Sequence, residues 1–419
     1  MQHYDIIIIG AGASGLCAAA EAQRTAEARG RHLQILMIEK EKSPGKKLLA
    51  TGNGRCNLGN KHMGAEYYPL GDPSFIENIF AACPPQENLD FFREIGIPTF
   101  DDGSGRLYPL SRRAGAVVQA LRTECERVGA QLLCETAVTS IKKTGRDYLV
   151  NGGYAANCLI LAAGGSAGLR KTDAYNGYGL LQQNPGIRVT PTFPCLCGLK
   201  LAGGYPSGLK GVRNISRAAV YSGDSLLFAE TGEVQFNADG ISGIPVLQAS
   251  VEAARALADG KPVTVALDLL PSLDADALRA FLTAVVRRYP ATAAEQLFGG
   301  YLPKPLCVYL LKRAGVAPSA PFPPQKVPAF IQTVKRCDFP VAGTADLPDA
   351  QVTGGGADLA CFHADTLEAK RLPGLFACGE ILNVTGRCGG YNLMWAWSSG
   401  RLAGRSAAKK ICNRQESSC

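Results

Sequence analysis

The chain has 419 residues, 46% of them hydrophobic and 19% charged, which fits a globular protein of two or three domains. The net charge of +8 comes without a Lys/Arg block or interleaved aromatic residues, which argues against nucleic acid as the partner. No segment reaches the ~18 apolar residues of a membrane span and no secretion signal is evident, so we expect a cytoplasmic protein without membrane contact.

The 15 cysteines are scattered along the chain. None has the C-x-x-C spacing of a zinc site or of a redox dithiol, so the sequence predicts neither of these and no metal. Cys195 and Cys197 form the closest pair, which we interpret as small apolar side chains. Scattered thiols without a secretion signal are typical of a reducing compartment.

The first predicted strand leads directly into a glycine-rich turn. Isoleucines 6–9 precede Gly10, Gly12 and Gly15, and an alanine-rich, helix-like segment follows. In a G-x-G-x-x-G turn the glycines allow the tight turn, the close approach of backbone to a pyrophosphate, and the packing of helix on strand. The pattern predicts a dinucleotide site, and the alternative is an ordinary βαβ unit.

A second predicted strand, residues 33–38, ends at Glu39, where the fingerprint requires an acid for a ribose hydroxyl. The polar stretch 40–57 has neither a helical nor a strand period, and such long irregular segments are usually functional. Gly52 and Gly54 would let its backbone approach a flat ligand.

The next segments alternate between helices and strands. We predict helices at 73–82, 85–95 and 111–128, a strand at 132–138, and a meander over 138–160. The meander ends in an apolar strand followed by Gly164 and Gly165, which resembles another central strand that meets a cofactor.

The pattern changes near residue 186. Short alternating runs over 187–238 predict a β-rich insert, 243–260 and 274–316 are helical in period, 318–328 is a proline-rich connector, and 329–345 is again strand-like. The chain then returns with an apolar strand ending at Gly379 and Glu380, a glycine pair, and a helix over 394–411. Two glycine-rich helix starts, one from each end of the chain, are therefore predicted to face one ligand.

Six segments together resemble the BaiN/YhiN-type FAD-dependent oxidoreductases, a branch of the glutathione-reductase-like two-dinucleotide flavoproteins. They read IIIIGAGASGL, KKLLATGNGRCNLGN, GRLYPLSRRA, LILAAGG, QVTGGG and GLFACGEILNVTGRCGGYNLMWAWSSGRLAG. The resemblance implies an α/β fold with a Rossmann-like FAD-binding domain from both chain ends. It also implies an inserted β-barrel domain that itself carries a helical insert.

On this basis the domain boundaries can be placed. Residues 1–186 and 350–419 would form the FAD-binding domain, and 187–242 with 320–349 the barrel-like substrate domain, which 261–271 would join. Residues 243–319 would form the mainly helical insert.

The resemblance implies FAD as the cofactor. The residues it places against FAD are Gly10, Gly12, Ala13, Ser14, Gly15, Glu39, Lys40, Lys47, Gly52, Asn53, Gly54, Arg55, Cys56, Asn57, Val138, Ala163, Gly164, Gly379, Glu380, Gly390, Tyr391, Asn392 and Leu393. No second strand–G-x-G-x-x-G–helix unit is present, so NAD(P)H would bind only transiently as reductant.

The function we expect is the reduction of an activated C=C bond by hydride from reduced flavin. The resemblance alone suggests a steroid or bile-acid enone. An amine oxidase that uses O₂, a tRNA-modifying flavoprotein and a non-enzymatic flavin redox sensor remain alternatives.

The catalytic candidates are Arg55 and Tyr391. Arg55 would stabilise reduced flavin or a substrate anion, or else form a surface salt bridge. Tyr391 would donate a proton, or only form an aromatic wall. Cys56 is either a redox thiol or a packing residue, and no histidine lies in a glycine motif. Trp395 and Trp397 are assigned to the core, and Tyr175 and Tyr178 to a substrate pocket.

Overall fold

The computed structural model describes residues 1–168, 177–203 and 207–416, and Tyr175 lies outside this range. The chain divides into two compact units. The first unit comprises residues 1–193 and 352–419, and the second comprises 194–351. The sequence places these boundaries at 186/187 and 349/350.

The elements of both units follow in chain order. The strands are β1 (Gln2–Ile9), β2 (Ile35–Ile38), β3 (Gly59–Asn60), β4 (Thr99–Asp101), β5 (Arg106–Pro109), β6 (Gln131–Leu133), β7 (Ile141–Thr144), β8 (Asp147–Val150), β9 (Tyr154–Leu161), β10 (Val189–Cys195), β11 (Leu199–Leu201), β12 (Arg213–Ser222), β13 (Ser225–Phe236), β14 (Gly240–Ser242), β15 (Val263–Asp268), β16 (Cys337–Thr344), β17 (Val352–Ala357) and β18 (Leu375–Ala377). The helices are α1 (Ala13–Glu27), α2 (Lys46–Ala50), α3 (Pro73–Ala82), α4 (Pro85–Glu94), α5 (Ala114–Arg127), α6 (Gly177–Gln182), α7 (Ile244–Ala258), α8 (Ala275–Arg288), α9 (Ala294–Leu297), α10 (Lys304–Arg313), α11 (Val327–Lys335) and α12 (Tyr391–Glu416).

A seven-stranded sheet forms the centre of the first unit, in the order β6-β2-β1-β9-β8-β7, with β18 also paired to β9. Strand β1 is parallel to both β2 and β9, so that Ile8 lies beside Met37 and Ile160. Its isoleucines are buried, as expected for a strand covered on both faces. The carboxyl ends of β1, β2, β9 and β18 therefore meet at one edge, where ligands bind in α/β sheets.

Helices α1 and α12 come from opposite ends of the chain and pack with very close backbones. A Cβ added at Gly400 would lie 2.9 Å from the Ser14 Cα, and one added at Gly404 would lie 2.9 Å from the Ala18 carbonyl carbon. Glycine at both positions therefore permits this approach, and the alanines of α1 fill the rest of the interface.

Buried charges join the same two helices. Glu21 accepts hydrogen bonds from Arg401 Nε at 2.9 Å and from Arg405 Nε at 2.8 Å. Arg401 also donates to the Asn88 side chain at 3.2 Å, which links α4 to the pair. Because Glu21 and Arg401 are both buried, this pair restricts how the helices can be arranged.

The second unit is built on a closed barrel of strands in the order β11-β14-β13-β12-β15-β16. Helices α7, α8, α10 and α11 contribute apolar side chains to one core with the barrel, including Val246, Leu278, Leu310 and Phe330. The expected α/β fold with a Rossmann-like domain and an inserted barrel is confirmed.

Two segments differ from their predicted structure. Within the predicted strand-like segment 329–345, residues 329–335 instead belong to helix α11, because Val327, Phe330, Ile331 and Val334 are buried at helical spacing, and a strand forms only at β16. The predicted strand 132–138 is only β6, and the chain then turns at Glu135, whose φ is +54°. Among the described residues, no helix has the length and hydrophobicity needed to cross a membrane.

Candidate cofactor and active site

The turn after β1 has the geometry of a phosphate-binding turn. Gly10 has φ +98°, and a Cβ there would lie 2.5 Å from the Ala162 carbonyl oxygen. A Cβ at Gly15 would overlap the Gly10 carbonyl, whereas one at Gly12 would meet nothing within 4 Å. The first turn of α1 contains no acid and no side-chain cap. Its N–H groups and the open side at Gly12 are thus available to an anion.

Glu39 lies beside this turn at the end of β2. Its two carboxylate oxygens accept the N–H groups of Ala11 at 2.8 Å and Glu41 at 3.0 Å, which fixes the carboxylate. The Thr136 N–H binds the Glu39 carbonyl at 2.9 Å, and the chain continues to the buried Val138. The segment that leads to Val138 therefore begins beside Glu39, an arrangement compatible with an adenosine at this edge.

A second group of predicted residues meets at the ends of β9 and β18. Lys47 Nζ lies 3.1 Å from Glu380 Oε2 and donates to the Gly165 carbonyl at 3.3 Å. Glu380 also accepts the Thr353 N–H at 2.9 Å. A Cβ at Gly379 would lie 2.9 Å from Ser14 Cβ, so the α1 turn and the Glu380 segment are direct neighbours.

The loop from Gly52 to Asn57 winds through left-handed backbone. Gly52, Asn53, Gly54 and Cys56 have φ of 57°, 55°, 79° and 58°. The Cys56 side chain is buried, and burial raises the pKa of its thiol to about 12. A thiol in this state fits the packing interpretation.

The end of this loop is fastened to the start of α12. The Asn57 amide oxygen, facing α12, accepts the Gly390 N–H at 3.1 Å. Asn60 donates to the Gly389 carbonyl at 3.0 Å, and Trp397 Nε1 donates to the Leu58 carbonyl at 3.0 Å. The Gly390 N–H is thus used within the protein, and the following N–H groups of α12 are those that can face a ligand.

The side chain of Asn392 closes the preceding turn. It accepts the Gly386 N–H at 2.8 Å and donates to the Gly386 carbonyl at 2.8 Å. A Cβ at Gly390 would lie 2.7 Å from Gly59 Cα, so glycine is required there. These contacts hold the N-terminus of α12, with Tyr391 and Leu393, in one position.

Tyr391 stacks on Tyr67, a residue that no sequence motif marks. The ring centroids are 4.7 Å apart and the planes 11° apart. The Tyr68 hydroxyl donates to the Tyr391 carbonyl at 2.8 Å, which fixes its backbone. Burial, then Tyr67 and Glu66, raise the pKa of the Tyr391 phenol to about 12.

Arg55 lies on the exposed side of the loop. Its Nε donates to the Gly52 carbonyl at 3.1 Å, and its guanidinium lies 5.2 Å from the Tyr108 ring centroid. It forms no salt bridge with any residue in the described part of the chain. The surface salt-bridge alternative for Arg55 therefore finds no support.

The remaining candidate side chains are buried. Trp395 and Trp397 are buried, and Trp395 Nε1 donates to the Gly379 carbonyl at 3.1 Å. Tyr178 is buried, and burial and Glu380 raise the pKa of its phenol. No cluster of His, Cys, Asp and Glu within residues 1–168, 177–203 and 207–416 has the arrangement of a metal site.

The residues fit FAD, because the open cradle at Gly12, the uncapped α1, the fixed Glu39 carboxylate and the α12 N-terminus share one sheet edge. The predicted FAD residues not discussed individually, Ala13, Lys40, Ala163 and Gly164, also follow β1, β2 and β9 at that edge.

Residues 4–406 match the family model described as HI0933-like protein Rossmann domain. The chain belongs to this family. The resemblance to BaiN/YhiN-type proteins is confirmed, and the chain is an FAD-dependent oxidoreductase.

Two relatives are similar over almost their whole length. The 3-dehydro-bile acid delta(4,6)-reductase of Clostridium scindens is 35% identical over 96% of this chain and 98% of its own. The ribosomal RNA dihydrouridine synthase of Escherichia coli is 31% identical over 95% of this chain and 96% of its own.

Among solved structures, the fold resembles that of the FrdA subunit of an E. coli quinol fumarate reductase variant. The TM-score is 0.50 at 19% identity, over 99% of this chain and 72% of that one.

Proposed function

We propose that the protein reduces a C=C bond conjugated to a carbonyl group in a small, flat substrate of the 3-oxo-steroid type. The most similar relative described above acts on a 3-dehydro bile acid. Dihydrouridine, the product of the other relative's class, is uridine with two hydrogens added across a carbonyl-conjugated C=C bond. Both relatives thus support the same chemistry, although their substrates differ.

The reaction adds a hydride to the β carbon and a proton to the α carbon of the substrate. When bound, reduced FAD supplies the hydride. Between the two additions, negative charge rests on the carbonyl oxygen, which needs a donor close by. The proton at the α carbon comes from solvent, so that hydrogens and charge balance.

Tyr391 is the group we assign to that donor role, and this single observation carries the proposal. Its side chain is 6% exposed, and among the described residues its hydroxyl has no hydrogen-bond partner. The hydroxyl is therefore available to donate to a ligand without giving up a bond within the protein. With a pKa of about 12, the phenol keeps its hydrogen at neutral pH.

Arg55 would add positive charge beside the same site. Its guanidinium is exposed and has no carboxylate partner among the described residues. NAD(P)H is the reductant that we propose for FAD, bound transiently because the sequence shows no second dinucleotide motif. The fourteen cysteines that the structure describes are free thiols, which supports a reducing, cytoplasmic location.

The proposal is tested with purified holoprotein under anaerobic conditions. NADH or NADPH should bleach the flavin absorbance, and a 3-oxo-Δ4,6 steroid should restore it with formation of the reduced steroid. Tyr391→Phe should bleach equally but be reoxidised by substrate roughly 10- to 100-fold more slowly, because one charged hydrogen bond is lost. Flavin absorbance that neither NADH nor NADPH bleaches would contradict the proposal, and so would electron transfer from amines to O₂ through the flavin.

A second candidate function is reduction of a uracil base in RNA. Besides the 31% identical relative, one surface feature favours it. Arg55, Arg112 and Arg113 are exposed and have no salt bridge among the described residues. The Ala114 N–H binds the Gly54 carbonyl at 2.8 Å, so these arginines lie around one loop junction.

The two substrates are distinguished by salt and by charge removal. If RNA is bound, affinity for a ribosomal RNA fragment falls steeply with salt, and Arg112→Gln with Arg113→Gln lowers the salt slope by about 2. If the steroid is the substrate, its affinity is insensitive to both. Binding of RNA that does not respond to salt or to these changes would remove this candidate.

A further inference from the structure

We propose that the hydroxyls of Tyr67 and Tyr391 together form a two-phenol donor site for the carbonyl oxygen of the substrate. This inference rests on the proposed function and adds Tyr67 to it. No sequence motif marks Tyr67, which belongs to a short 3-10 helix at 65–67. It would be a catalytic residue, since its hydroxyl contacts the reacting carbonyl.

The first argument is that both phenols lack a protein partner. Tyr391 is buried and Tyr67 is half-buried, and neither hydroxyl takes part in a hydrogen bond among the described residues. Neighbouring tyrosines show the contrast. Tyr68 donates to the Tyr391 carbonyl at 2.8 Å, and the buried Tyr148 binds the Leu372 carbonyl at 3.1 Å. Tyr68 and Tyr148 thus use their hydroxyls within the protein, whereas in the described part of the chain Tyr67 and Tyr391 do not.

The second argument is that the surrounding backbone is built to hold the stack. A Cβ at Gly386 would lie 2.7 Å from Tyr391 Cβ, and one at Gly389 would lie 3.3 Å from Tyr391 Cε2. The Arg387 N–H binds the Tyr67 carbonyl at 2.9 Å. Tyr67 and Tyr391 are therefore fixed from both sides, as preorganised donors must be.

The third argument is electrostatic. The Tyr391 phenol resists ionisation because of burial, and Tyr67 and the Glu66 carboxylate act in the same direction. The Tyr391 phenol enters the reaction as a neutral donor, and the stacked Tyr67 contributes a second hydroxyl. An oxygen that acquires negative charge gains more from two such donors than the neutral ketone does, so the pair favours the charged intermediate over the substrate.

The test uses a phenol as a mimic of the charged oxygen, with the oxidised holoprotein at neutral pH. 4-Chlorophenol reports on the donor pair alone, and estradiol reports on the donor pair together with a steroid-shaped site. Both should bind as phenolates, seen as their ultraviolet phenolate bands at a pH below their own pKa. This measurement needs no variant, and a probe that stays neutral when bound would overturn the proposal.

Variants then assign the donors. Tyr67→Phe and Tyr391→Phe keep the stacked rings, and each should weaken 4-chlorophenol roughly 10- to 100-fold with unchanged FAD content. Tyr309→Phe is the matched control, because it removes the hydroxyl of a stacked tyrosine in the second unit. Unchanged affinity in Tyr67→Phe, or loss of FAD from it, would show a merely structural role and overturn the proposal.

The two probes separate this inference from the proposed substrate. If 4-chlorophenol binds through both tyrosines and estradiol does not bind, the donor pair stands and the steroid class falls. If estradiol binds equally well to the wild type and to both variants, the steroid site stands and the donor pair falls.

Discussion

The two units of the molecule use glycine in different ways. In the first unit, Gly10, Gly15, Gly390 and Gly404 face backbone atoms that a Cβ would meet, and three of them surround the candidate cofactor site. In the second unit, Gly223, Gly260 and Gly343 have nothing within 4 Å of an added Cβ, although Gly240 and Gly243 do make such contacts where strands meet. Close backbone approach is thus found around the candidate cofactor site and between α1 and α12 in the first unit, and where barrel strands meet in the second.

Removing a buried charge from the first unit should produce the largest difference in stability between matched variants of the two units. Glu21→Ala should lower the free energy of unfolding by about 3–5 kcal/mol, because the buried Arg401 and the half-buried Arg405 lose the carboxylate that they share. The matched change Glu233→Ala breaks an exposed pair with Arg213 in the second unit and should cost less than ~1 kcal/mol. Urea unfolding followed by circular dichroism measures both. Equal costs would mean that the first unit does not depend on its buried charges.

The interface between α1 and α12 gives the next largest effect. Gly404→Val places methyl groups against the Ala18 backbone and should cost about 3 kcal/mol or more. Gly343→Val, in barrel strand β16, has open space and should be nearly neutral. Thermal unfolding of the two variants compares them directly. A neutral Gly404→Val would contradict the close-approach account.

The glycine turn allows function to be separated from stability. Gly12→Asp has room for its side chain but puts a carboxylate beside the pyrophosphate position, so FAD affinity should fall roughly 100-fold or more. Gly12→Ala adds only a Cβ on the open side and should weaken FAD binding less than the aspartate does, and both apoproteins should melt like the wild-type apoprotein. Flavin absorbance after gel filtration is the measurement. Full flavin occupancy in the aspartate variant would exclude this turn as the pyrophosphate site.

The smallest effect is expected at Cys56. Its thiol has a pKa raised to about 12 and is not ionised at neutral pH, so it is a poor nucleophile. Cys56→Ala should keep flavin reoxidation within about twofold of the wild-type rate. A rate that falls tenfold with normal FAD content would instead indicate a redox thiol.

The sequence predicted the parts of the fold that have strong local signals. The strand–glycine–helix pattern at Gly10–Gly15 and the apolar strand that ends at Gly379 and Glu380 are specific local patterns. The local structure of both segments can therefore be predicted from the sequence. The β-rich insert was predicted from short runs of alternating apolar and polar residues separated by glycine turns. The resemblance of six segments to a flavoprotein family then predicted FAD as the cofactor.

The rest depends on contacts between distant residues. Glu21 and Arg401 are 380 positions apart, and helical periodicity alone cannot pair them. Tyr67 has an ordinary local sequence, and only the fold brings it to Tyr391. The prediction for helix α11 was wrong because its apolar residues are of types common in strands but recur at helical spacing. Such a short segment is compatible with both structures, and tertiary packing decides between them.

The pairing of α1 with α12 also has a consequence for synthesis. The first helix leaves the ribosome long before its partner, because residues 194–351 are made between the two parts of the first unit. During that interval the small-residue face of α1 has nothing to cover it, and β18 and the Tyr391 turn do not yet exist. We therefore expect FAD to be captured only after α12 has been made, so a nascent chain that stalls within the barrel should be a chaperone client that holds no flavin.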